Sequence, residues 1–124
     1  MNIGDIFLLN HPDGRRGNLW VFSSNLTIDR EAVAFKFVPW LEGCDESCVI
    51  NPGDHASITR KSIVAYQFGQ VFSERMYATA LESRILKERG KISKELLKRV
   101  QAGALHSIYV PEKFQRMIRD SLII

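Results

Sequence analysis

The hydrophobic pattern of this chain changes period at Ser73, and that switch constrains the fold more than any single motif does. Before it, short apolar runs rich in β-branched and aromatic residues are punctuated by turn signals every 8–15 residues. Beyond it, apolar residues recur at helical spacing. Strands first and helices last is an α+β ordering, and it excludes a doubly wound parallel sheet. The predicted strands are Ile6–Leu9, Leu19–Phe22, Val33–Val38, Cys48–Ile50, Ile58–Tyr66 and Phe68–Phe72. His11-Pro12-Asp13-Gly14 and Asn51-Pro52-Gly53-Asp54 supply turns between them. Strands this short predict a small barrel or sandwich, and of the two a strongly curved antiparallel barrel over residues 1–73 is expected.

The remaining residues, 74–124, read as helices. Ser73 caps a first helix carrying Met76, Tyr77, Ala80, Leu81 and Ile85, which Gly90 ends. Ser93 caps a second, with Leu96, Leu97, Val100 and Ala104 on one face, and Pro111 opens a third. At 124 residues the whole is expected to form one domain. Ile6, Leu8, Leu19, Val21, Phe35, Phe37, Val49, Ile63, Leu81, Leu97 and Val100 are its predicted core. The apolar end of the chain, Val100, Phe114, Met117, Ile118, Leu122, Ile123 and Ile124, either packs on the barrel or forms a dimer face.

Charge is divided unequally. Residues 1–73 hold 6 Lys and Arg against 8 Asp and Glu, whereas residues 74–124 hold 11 against 6. Mixed signs in the basic half favour a mildly cationic surface over a dedicated nucleic-acid stripe. No apolar run reaches the roughly 18–20 residues of a membrane span. The first residues, Met1 to Asp5, lack the basic and apolar regions of a signal peptide, so the expected compartment is the cytoplasm. There Cys44 and Cys48 stay reduced.

Three places carry residues suited to chemistry. The loop Gly14-Arg15-Arg16-Gly17 presents paired guanidiniums, which grip phosphate bidentately and stabilise phosphoryl transition-state charge. Solvated turn arginines are the plain alternative. Asn51-Pro52-Gly53-Asp54-His55 leads into Ser57, Arg60, Lys61 and Ser62, and an imidazole oriented by Asp54 suits acid–base work near neutral pH. A purely structural turn competes with that reading. Cys44-x3-Cys48 with His55 lacks the second ligand pair of a zinc site, so no metal is expected. Trp40 stands at a strand end, where an aromatic ring stacks on a base or covers the barrel. Nucleotide-binding glycine loops, Gly-x-Ser-x-Gly and His-Glu-x-x-His are all missing, so the reading calls for no cofactor.

Gly4-Asp5-Ile6, the Arg-bearing glycine loop and Leu19-Trp20-Val21-Phe22-Ser23 resemble the opening of MazF/PemK-type toxins. Cys48-Val49-Ile50, the Asp54 turn and Ser62-Ile63-Val64-Ala65-Tyr66 are similar to that family's later strands, and Lys91–Leu97 to the start of its final helix. The resemblance spans roughly residues 4–100. It implies an SH3-like barrel with added helices, an mRNA interferase activity, a partner antitoxin and a homodimer. Two departures stand out. Gly17-Asn18 occupy the place of the family's arginine–proline pair, leaving Arg15 or Arg16 to substitute, and Pro39-Trp40 stand where the family has Thr or Ser.

Metal-independent cleavage of single-stranded RNA needs a base for the 2′-hydroxyl, a cation for the phosphorane and an acid for the leaving oxygen. His55 with Asp54 is assigned to proton transfer, and Arg15 with Arg16 to charge stabilisation. Ser57 or Ser62 positions the phosphate, while Arg60, Lys61 and Trp40 hold the strand. The competing reading is a protein- or nucleic-acid-binding module on the same barrel, without chemistry.

Overall fold

The computed structural model describes residues 1–123, and Ile124 of the apolar tail lies outside them. Six strands and three helices follow one another as β1 (Asp5–Leu9), β2 (Asn18–Phe22), β3 (Glu31–Pro39), β4 (Val49–Ile50), β5 (Ser62–Ser73), α1 (Glu74–Glu82), β6 (Leu86–Lys91), α2 (Lys94–His106) and α3 (Glu112–Arg119). The strands form one sheet in the order β4-β5-β3-β2-β1-β6, every neighbouring pair antiparallel. The architecture is α+β: a curled antiparallel half-barrel with two of its helices after the last strand.

Curling originates in β5. Its outer half pairs as Ala34↔Gln70 and its inner half as Lys36↔Ala65, so Phe35 alone stands opposite the four residues 66–69. Excess residues on one strand form a bulge that bends the strand and increases its twist. Gly69 makes the bulge feasible, because a Cβ there would lie 2.5 Å from the Phe35 ring. The two predicted strands Ile58–Tyr66 and Phe68–Phe72 are therefore one bent strand, and residues 58–61 belong to the turn before it.

The sheet is covered on both faces. α2 and α3 pack on one side, where Val21, Phe35, Tyr66, Leu96, Val100 and Ile118 form the larger core. On the other, α1 covers Phe7, Trp20, Phe22 and Phe72 and adds its own Tyr77 to that cluster. Those rings meet edge-on or tilted, Phe7 lying 5.0 Å from Phe22 and 5.5 Å from Phe72 between centroids, the geometry aromatic quadrupoles favour. Of the predicted core, Leu19, Val49 and Leu81 are only half-buried, whereas the others are buried. Phe114, Met117 and Ile123 pack against the core beside fully buried Ile118, so most of the apolar tail is consumed within the chain.

The helix predicted to run from Ser73 to Gly90 stops at Glu82. Its cap is as expected: the Met76 amide donates to Ser73 Oγ at 3.1 Å. Arg84 then adopts φ +64°, and the chain turns back to pair with the open edge of β1 as β6. Only Leu86 of β6 is buried, and its charged remainder suits an edge strand, where exposed charge discourages pairing with other chains. Gly90 serves a bulge instead of a helix end: at φ +85° it stands with Arg89 opposite Ile6, between the pairs Asp5↔Lys91 and Phe7↔Glu88. Residues 74–124 thus contribute a strand to the sheet as well as three helices.

Candidate functional site

Two loops far apart in sequence meet at one end of the half-barrel. The β1–β2 loop brings Arg16, Gly17 and Asn18, and the segment before β5 brings Ser57, Ile58, Thr59, Arg60 and Ser62. Between them lies a cleft of about 170 Å³ floored by Leu8, Leu19 and Phe37. Among the described residues, no carboxylate lines it. Arg16 and Arg60 have no carboxylate within ion-pairing distance among the described residues. Two guanidiniums, three hydroxyls and an amide side chain over an apolar floor are suited to an anion with several oxygen acceptors.

Local bonding fixes both walls. Gly17 N–H donates to Asn10 Oδ1 at 3.0 Å, and Asn18 Nδ2 donates to the Phe37 carbonyl at 3.1 Å. A Cβ on Gly17 would lie 1.7 Å from the Leu9 carbonyl oxygen, so only glycine lets the loop close onto β1. Across the cleft, Ser62 Oγ donates to the Arg60 carbonyl at 2.9 Å, and Ile58 N–H donates to the His55 carbonyl at 3.0 Å. The arginine side chains therefore project from anchored backbone.

The residues singled out in the sequence divide. Arg16, Ser57, Arg60 and Ser62 come together in the cleft, and Arg15, Asp54, His55, Lys61 and Trp40 are not part of its lining. Arg15 folds back on its own turn, its Nε 2.7 Å from Asp13 Oδ2 with the side chain 74% exposed. That turn holds Asp13 below the usual carboxylate range, chiefly through the Arg15 amide. Lys61 Nζ sits 4.4 Å from the centre of the Trp40 ring, whose Nε1 donates to Glu46 at 3.0 Å.

Asp54 does not orient His55. Its Oδ2 accepts from the Asn51 amide at 2.7 Å, and both oxygens face the Arg99 guanidinium of α2 at 3.4 Å. The Asn51 amide holds its carboxyl below the ordinary range against partial burial, and Arg99 adds to the effect. Arg99 Nη2 also donates to the Val49 carbonyl at 2.6 Å, tying the turn to α2. His55 is instead set by its neighbour: Nδ1 accepts from the Ser57 amide at 3.0 Å. A neutral His55 then carries its proton on Nε2. Arg99 was not singled out in the sequence, because it lies outside the apolar stripe Leu96, Leu97, Val100 and Ala104 and no local pattern links it to Asp54.

The thiols take no part in the cleft. Cys48 is buried beneath α2, and burial pushes its thiol up to about 11. Among the described residues, no group of three or more His, Cys, Asp or Glu side chains is gathered as a metal site would require. No described helix is long and apolar enough to cross a membrane. Comparison with family models and with curated proteins finds no match.

Proposed function

We propose that this chain is a metal-independent endoribonuclease of the toxin type, and that it holds the scissile phosphodiester of single-stranded RNA in the Arg16–Arg60 cleft. The observation that carries this reading is the convergence of the two loops on one carboxylate-free cleft. In this mechanism Arg16 and Arg60 stabilise charge developing on the phosphorane, and the Ser57 hydroxyl orients a non-bridging oxygen, while Ser62 holds the Arg60 backbone in place. His55, two residues before Ser57, must let go of the Ser57 amide: its freed Nδ1 takes the 2′-hydroxyl proton as that oxygen bonds to phosphorus, and the resulting imidazolium gives its Nε2 proton to the departing 5′-oxygen. Arg60 takes the charge-stabilising place that the sequence reading gave to Arg15, because Arg15 is committed to Asp13. The SH3-like barrel of MazF/PemK-type proteins, the cytoplasmic setting, the antitoxin and the homodimer belong to the same proposal. They rest on the sequence resemblance and on the curled half-barrel.

One observation favours the non-catalytic alternative: Asp54 is bound to Asn51 and Arg99, leaving His55 without a carboxylate partner. Incubation of end-labelled single-stranded RNA with the protein in excess chelator separates the readings. Wild type is expected to cut, with Arg16→Ala and Arg60→Ala each losing about 10²–10³-fold. His55→Ala is expected to lose about 10²-fold or more while still binding. Binding without any cleavage by wild type selects a nucleic-acid-binding module, and no binding at all rejects both RNA readings in favour of a protein-binding one.

A further inference from the structure

A second groove continues from the cleft onto the outer face of the sheet. It measures about 300 Å³, shares Gly17 and Asn18 with the cleft, and is lined further along by His11, Trp20 and Lys36. No carboxylate of the described residues lines this groove either. Lys36 pairs across the sheet with Trp20, and its Nζ lies 4.4 Å from the centre of the Phe68 ring. Phe68 is 52% exposed, and β4, which pairs only with Ser62 and Ile63, leaves β5 open beside it.

The bulge explains that exposure. Phe68 is one of the four β5 residues that face Phe35 alone, beyond the part of the sheet that α1 covers. Bulges re-aim side chains and concentrate next to functional sites. A cation and an aromatic ring displayed together are the elements of a single-stranded nucleic-acid platform, where bases stack and phosphates meet fixed positive charge. From Gly17 to Trp20 the groove advances about 10 Å along β2, at about 3.3 Å per residue, within reach of neighbouring nucleotides.

We infer that the RNA strand leaves the Arg16–Arg60 cleft over Gly17 and Asn18, places a phosphate on Lys36 and stacks a base on Phe68. This rests on the RNA reading of the cleft and extends it to a track that sets how much flanking strand is bound. An acidic polypeptide is the rival occupant, since it meets the same charge. The base-stacking ring and the continuity with the cleft favour RNA.

The test compares two 2′-O-methylated probes that resist cleavage, a dinucleotide and an oligomer of about eight nucleotides. Wild type is expected to bind the oligomer more tightly. Phe68→Leu and Lys36→Met should each weaken the oligomer about tenfold and leave the dinucleotide unchanged. Lys36→Met should also reduce the slope of log affinity against log salt by about 0.7. Phe68→Trp should restore oligomer affinity, which separates lost stacking from lost fold. If Arg16→Ala weakens both probes while Phe68 and Lys36 variants change neither, the track is refuted and the cleft stands. If Arg16→Ala changes neither probe, or neither binds wild type, the cleft reading falls and the track with it. Loss of poly-glutamate binding in the two variants, with oligomer affinity intact, assigns the face to an acidic protein and overturns the proposal.

Discussion

Gly17 shows how one position links backbone to site. Its amide is held by Asn10, and no side chain fits between it and Leu9, so the Arg16 guanidinium is delivered to the cleft from a fixed point. Gly17→Ala forces backbone apart, because the obstacle is a carbonyl and not a flexible side chain. It is expected to destabilise the protein by about 1–3 kcal/mol or more and to weaken RNA binding in the same variant. Calorimetry and binding on one preparation check both. Unchanged melting would mean that the loop has room the structure does not show. Arg16 was legible in the sequence because glycines bound it on a turn. Its separation from Arg15 was not, since the two differ only in whether Asp13 lies within reach.

At the scale of elements, β6 is where sequence reading and structure part. Met76, Tyr77, Ala80, Leu81 and Ile85 keep helical spacing, and Gly90 follows cationic residues as a helix end often does. The pattern is local, whereas the pairing requirement of the β1 edge is not. An unpaired row of backbone groups beside a buried strand outweighs about two further turns of helix. The break falls at Arg84, which holds a left-handed conformation that its Cβ disfavours. Arg84→Gly relieves that conformation and should raise stability by up to about 1 kcal/mol, read as a rise in melting temperature. A fall would show that the arginine side chain contributes more than its backbone costs. The reading of one inner face also left out Phe7 and Phe22, which are fully buried because α1 closes the outer face. Alternation along a strand assigns residues to faces without revealing that both faces are covered.

Across the whole molecule, carboxylates fasten loops to the two layers. Asp45 accepts from Ser47 and from Ser107 beyond α2, and these bonds hold it below its ordinary range although burial pushes it up. Asp5, likewise pushed up by burial, is held down by Lys91 of β6 and the Asn2 amide. With Asp54, all three lie below their ordinary 3.8 in the folded protein. A carboxyl with a lowered folded pKa stabilises fully above its unfolded value and loses that contribution as pH falls through the folded one. Stability is therefore expected to decline below about pH 4, and the decline should shrink in Asp45→Asn. Denaturant melts across that range check it, and an identical acid limb in the variant would contradict the assignment.

Composition conceals the cleft's electrostatics. Residues 1–73 carry more acid than base, yet Arg16 and Arg60 both line one cleft that no carboxylate of the described residues lines. Which charges pair is decided by folding: Asp13 takes Arg15, Asp54 takes Arg99, and the two cleft arginines are left for a ligand. The salt dependence of binding counts those cations directly. For a 2′-O-methylated single strand, the slope of log affinity against log salt should fall by about 0.7 in Arg16→Ala, by the same in Arg60→Ala, and by about twice that in the double variant. Affinities and slopes indistinguishable from wild type in all three would contradict a phosphodiester held between these arginines.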